Sequence, residues 1–102
     1  MSEQTKLIDA KLEEHGLTLE QLSMVCAVDS AWIVQHINEG FLEPLPDNPG
    51  EWRFTTTHLL RVRRMVSLER DFEALPELAA LVADMQEEID GLRRRLRQAG
   101  LE

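Results

Sequence analysis

Only one of the 102 residues is a cysteine, Cys26, so an internal disulfide is excluded and a reducing compartment fits. No apolar run approaches the length of a membrane span. The opening MSEQTKLIDAKLEEHG has no basic stretch leading into an apolar one, so no secretory leader is expected and the chain reads as cytoplasmic. Basic residues are missing from a long stretch as well: none stands between Lys11 and Arg53. Residues 1–52 carry ten carboxylates against two lysines, while residues 53–102 carry nine arginines against nine carboxylates, so the whole net charge of −8 lies in the first half. A surface that reads duplex DNA needs the opposite balance, because lysine and arginine contacts to phosphate supply most of its affinity.

Recognisable reaction chemistry is equally scarce. There is no glycine-rich phosphate loop, no lysine in a phosphate-binding motif and no nucleophile in a known setting. His15, His36 and His58 with Cys26 fall at no metal-ligand spacing. Nineteen carboxylates produce close pairs by chance, which leaves no general acid and base to nominate. The expectation is a protein that is not an enzyme and uses no cofactor or metal. At 43% apolar residues the chain can build a modest single core, near the size at which a dimer interface helps.

The stretch DSAWIVQHINEGFLEPLPDNPGEWRF, residues 29–54, organises the rest. Asp29 or Ser30 can cap a helix whose apolar side is Trp32, Ile33 and Ile37. Gly40 ends it, and Phe41 and Leu42 can fold back on the last turn. Pro44, Pro46 and Pro49 forbid helix, and Asn48-Pro49-Gly50 is turn chemistry before a strand at Trp52-Arg53-Phe54. Loop and strand together read as a wing.

Upstream, Thr5–Glu13 reads as a strand or as a short helix. Gly16 breaks that run, and Thr18 then caps a helix over Leu19–Val28, with Leu19, Leu22, Val25 and Cys26 on its apolar face and Gln21 completing a capping box. Downstream, Thr55 to His58 opens a third helix with Leu59, Val62, Met65 and Val66 inward. Its Arg61, Arg63, Arg64 and Arg70 read as a solvated face pairing with the acidic first half. Pro76 suits the first turn of a last helix, where Leu75, Val82, Ile89 and Leu96 alternate with Leu78, Met85, Leu92 and Ala99 as a heptad seam. Leu78, Val82, Met85, Ile89, Leu92 and Leu96 are therefore the candidate homodimer contacts, with Glu88 and Arg93 at flanking positions. An extra apolar residue, Leu81, favours the competing arrangement in which this helix folds back on its own domain.

The order LTLEQL, DSAWIVQHINEGFLEP, EWRF, LLRVRRMVSLERDF and GLRRRLRQ resembles the winged helix-turn-helix of the MerR transcription factors. It is closer to an offshoot, the chaperone-modulator family CbpM, small bacterial proteins that bind the J-domain of the DnaJ-like co-chaperone CbpA. The resemblance implies a mainly α fold with a small β wing and a long C-terminal coiled-coil-type helix, and favours a strand at Thr5–Glu13. It divides the chain into residues 1–57, a winged helix-turn-helix part with N-terminal strand, and residues 58–102, a helical hairpin ending in the dimerisation helix, within one compact domain. The implied partner is a CbpA-like J-domain, with no direct nucleic-acid contact and no membrane. MerR-type helices pair antiparallel, whereas the seam residues suit a parallel pair, so direction stays open.

Two surfaces are candidates for the partner. One is the second helix with Asp29, Trp32, Gln35, His36 and Glu39, although Trp32 beside Ile33 also reads as core cover. The other is the acidic break Glu69, Asp71, Glu73 and Glu77 between the last two helices.

Overall fold

A computed structural model describes residues 16–48 and 51–101. The expected strand or helix at Thr5–Glu13 lies outside the described residues. Helix α1 (Leu19–Cys26) starts at a complete capping box: the Gln21 amide donates to Thr18 Oγ1 at 3.2 Å, and the Thr18 amide donates to Gln21 Oε1 at 2.9 Å. It ends two residues short of Val28, because Ala27 turns left-handed at φ 54° and its amide donates back to Ser23 and Met24.

Helix α2 (Ser30–Asn38) follows directly, giving the helix-turn-helix pair. Asp29 takes the cap position, but its carboxylate makes no capping hydrogen bond; the Asp29 carbonyl alone receives the Trp32 and Ile33 amides. Gly40, at φ +84°, closes α2 as expected, and the Phe41 amide donates to the His36 carbonyl at 2.9 Å. Leu42 then folds back into the core at 2% exposure.

The wing is a hairpin of β1 (Leu45–Asn48) and β2 (Glu51–Arg53), antiparallel with Leu45 opposite Arg53 and Pro46 opposite Trp52. The first of these strands contains Pro46, which the ladder accepts in so short an edge pair. Just past β2, Phe54 exchanges two backbone hydrogen bonds with Leu17, at 2.8 and 2.9 Å, tying the wing to the start of α1. Gly16 is required there: at φ +80°, a Cβ on it would sit 2.8 Å from the Phe54 carbonyl oxygen.

Helix α3 (Thr56–Asp71) runs through the middle of the molecule. Leu59, Val62 and Val66 enter the main core with Leu17, Leu22, Cys26, Ile33, Leu42 and Phe54, while Met65 faces a second cluster. That cluster is made with helix α4 (Pro76–Gln98), which lies along α3 through Ala79, Ala80 and Ala83. The heptad side chains occupy the other face of α4: Leu78, Met85, Ile89, Leu92 and Leu96 are between 43% and 55% exposed, and Val82 is half-buried. Leu81 is exposed too, so α4 packs on its own domain by alanines and not by the leucines.

The arginines of α3 require a correction. Arg61 and Arg64 pair with the acids of α4 and not with the acidic first half. Arg61 Nη1 donates to Asp84 at 2.7 Å and Glu87 at 3.0 Å, and Arg64 Nη2 donates to Asp90 at 2.6 Å. Burial alone would lower the Arg61 pKa, but hydrogen bonds and charges from Glu87 and Asp84 outweigh it and push it up.

Candidate protein-interaction site

The residues singled out on α2 divide sharply. Asp29, Gln35 and Glu39 are exposed, and Gln35 Nε2 donates to Glu39 Oε1 at 3.3 Å along one side of the helix. His36 points the other way and is 3% exposed. Its Nε2 lies 2.8 Å from Glu69 Oε2 and its Nδ1 lies 2.7 Å from the Trp32 carbonyl oxygen. Each ring nitrogen thus faces an oxygen that only accepts. The Trp32 indole stacks on the His36 ring with centroids 3.6 Å apart, and its Nε1 donates to Glu69 Oε1 at 3.1 Å.

Glu69 therefore accepts from both α2 side chains, one on each carboxylate oxygen. The two surfaces read separately in the sequence meet at this residue. A carboxylate withdrawn from water is stabilised by charge-assisted donors, and here they fix α2 against the last turn of α3. His36 and Trp32 act on the surface by positioning the helix, since the imidazole is turned inward. A signal for this was present: His36 lies three residues after Ile33 and four after Trp32, on the same stripe.

A second clip joins the same parts. Arg70 Nη2 donates to the Ala27 carbonyl at 3.1 Å, binding the turn before Asp29 to the end of α3. Beyond it, Asp71 accepts from Ser67 at 3.1 Å, and Glu73 adopts a left-handed backbone at φ 53°. The chain thereby reverses between α3 and α4 with Asp71, Glu73 and Glu77 exposed. Phe72, at 74% exposure, and Leu75, at 69%, stand among those carboxylates; Leu75 is the first residue of the heptad seam, whereas Phe72 belongs to none of the patterns read from the sequence. Nothing in their spacing separates an exposed apolar residue from a core one.

The remaining titratable groups hold structure. His58 completes a cap on α3 by accepting the Thr55 amide at Nδ1, 2.8 Å, while Nε2 donates to the Glu43 carbonyl at 2.6 Å. Burial raises the Cys26 thiol pKa, opposed in part by the charge of Arg63, which disfavours the reactive thiolate. Among the described residues no group of three or more His, Cys, Asp or Glu is placed to hold a metal ion, and no helix is long and apolar enough to cross a membrane.

A helix-turn-helix pair, a wing hairpin tied back to the first helix, and a long helix with an apolar outer seam define a protein of the winged helix-turn-helix class. The sequence profile described as MerR HTH family regulatory protein matches residues 17–99, and the chain belongs to that family. Within it, the resemblance to the CbpM branch is shown by curated relatives. The chaperone modulatory protein CbpM of Pseudomonas entomophila (strain L48) is 29% identical over 77 residues, 76% of each chain. That of Coxiella burnetii (strain Dugway 5J108-111) is 27% identical over 81 residues, 79% of this chain and 76% of the relative. These names describe modulators and regulators, not enzymes. No solved structure matches the chain.

Proposed function

We propose that the protein is a chaperone modulator that binds the J-domain of a CbpA-like co-chaperone in the cytoplasm and prevents it from stimulating ATP hydrolysis by DnaK. Covering the J-domain also restrains DNA binding by the same co-chaperone. The observation that carries this reading is the acidic helix-turn-helix: where a DNA reader presents lysine and arginine, α2 exposes Asp29, Gln35 and Glu39. Such a surface suits a basic protein partner, with carboxylates for steering and orientation. Trp32, His36 and Glu69 hold it in place, and Asp71 and Glu73 continue it across the turn before α4.

The reading includes a homodimer through Leu78, Val82, Met85, Ile89, Leu92 and Leu96. Its support is the location of those side chains on the face of α4 that α3 does not cover. Charge along α4 bears on direction. Asp84, Glu87 and Asp90 are engaged by Arg61 and Arg64 of the same copy, but Glu77 and Glu88 also precede Arg93, Arg94, Arg95 and Arg97, so opposed helices place the basic end of one beside the acidic start of the other. The reading therefore takes the pair as antiparallel.

The test is calorimetric titration with the isolated J-domain at low and moderate salt. Binding that weakens as salt rises is the expected result. Absence of heat at both salts discards the reading. Reversing the charge of Asp29 and Glu39 together should weaken binding, and an unchanged affinity would remove α2 from the contact. A MerR-type DNA-binding regulator is the competing function, and a shifted DNA band at low salt would favour it.

A further inference from the structure

Away from α2, a cleft of about 440 Å³ opens between the start of α1 and the wing hairpin, lined by Thr18, Leu19, Glu20, Glu51, Trp52 and Arg53. Its two walls are joined by the paired backbone bonds of Leu17 and Phe54, so its shape is set before anything enters. Trp52 is 36% exposed at this cleft. An indole at the edge of a preformed groove offers a large contact area at little conformational cost, which is why tryptophan recurs among the residues that dominate binding.

Charge decides what lies against it. Arg53 is already engaged by Glu51, 3.5 Å away, and Glu20 is exposed in the first turn of α1. Two carboxylates against one engaged guanidinium leave the rim negative. The sequence agrees, since no lysine or arginine stands between Lys11 and Arg53. The start of a helix ordinarily favours an anion. Here the capping box already uses the Thr18 and Gln21 amides, and Glu20 places its own negative charge in the same turn.

We propose that this cleft receives a lysine or arginine side chain of a partner protein, with its cation on the Trp52 ring and Glu20 and Glu51 as its charge partners. The contact is a second one, separate from α2. It rests on the J-domain reading for the identity of the partner, and on the cleft alone for the chemistry it accepts.

The chain has two tryptophans, so the two indole N–H signals of a nitrogen-15 spectrum, assigned with Trp52→Phe, report each surface separately. On addition of the isolated J-domain the Trp52 signal should move to saturation. Trp52→Ala should weaken binding about tenfold or more, and Glu20→Gln with Glu51→Gln should flatten its salt dependence, each variant retaining the native circular dichroism. If the J-domain binds by calorimetry while the Trp52 signal stays still, or if Trp52→Ala keeps full affinity, the proposal is overturned and the J-domain reading survives. If the J-domain gives no heat, that reading falls, and a hexa-arginine peptide decides the cleft: a moving Trp52 signal supports it and a stationary one sinks it. A Trp52 signal that shifts with protein concentration alone assigns the cleft to a second copy, and one that shifts only with DNA assigns it to nucleic acid; either overturns the proposal.

Discussion

The two cores of this molecule are built on opposite plans. Between α1, α2, the wing and α3, large side chains interdigitate: Phe54, Leu17, Leu22, Ile33 and Val62 are all fully buried. Between α3 and α4 Met65 is the one large side chain fully buried among the described residues; it meets Ala79, Ala80 and Ala83, with Trp32, Phe41 and Leu68 half-buried beside them. Small side chains let two helix backbones come close, but they withdraw little apolar area from water. Ion pairs from Arg61 and Arg64 supplement that contact at its edges, where solvent weakens them. The first core closes on its own large side chains, whereas the larger side chains of α4 are left exposed.

The sharpest way to break this contrast is at the seam. Ile89→Asp with Leu92→Asp places two charges on the exposed face of α4 and should abolish self-association, leaving a folded monomer by sedimentation equilibrium and circular dichroism. A dimer that persists would move the interface elsewhere. Next in size is Phe54→Ala, which empties the centre of the main core and should cost about 3–5 kcal/mol in denaturant unfolding. Ala83→Leu tests the second core from the opposite direction. Extra volume has no room between α3 and α4, so a loss of about 1–3 kcal/mol is expected, and a neutral result would mean that the two helices separate easily. Arg61→Met keeps the alkyl stem but removes the bonds to Asp84, Glu87 and the Phe41 carbonyl, for a loss of about 1 kcal/mol that shrinks in high salt.

The smallest effect is tied to Cys26. Burial holds its thiol pKa above the ordinary value, so between that value and the folded one the unfolded chain ionises while the native chain keeps its proton. The contribution is therefore present in full at neutral pH and declines as pH rises past the ordinary thiol range. Alkylation should follow global unfolding at neutral pH; rapid labelling of the native protein would contradict the burial.

Much of the first core was legible because its residues obey one period at a time. Leu59, Val62 and Val66 recur on one helical face and enter that core, and Met65 on the same stripe is buried against α4. Thr18 with Gln21, and Gly40, mark helix limits by local chemistry that needs no tertiary context. The alanine face of α4 was hidden for a physical reason: alanine carries a weak apolar signal, and the leucines opposite it dominate the pattern. Strand β1 was hidden by its proline. Trp52 and Phe54, two residues apart in a strand, belong to one face by the pleat, yet Phe54 is buried and Trp52 is half-open at the cleft. At the interaction surface, charge announced the kind of partner, but whether His36 faced water depended on Glu69, thirty-three positions away.

The outer end of α4 has one more consequence. The helix is 23 residues long, about 34 Å at 1.5 Å per residue, against 16 residues in α3, and every described residue from Leu92 onward is exposed. Turns without a packed neighbour are only marginally helical in water, and these contain Arg93, Arg94, Arg95 and Arg97, each a cleavage point for a trypsin-like protease. In the proposed homodimer a second helix lies along these turns, so trypsin should cut them more slowly as the protein concentration rises.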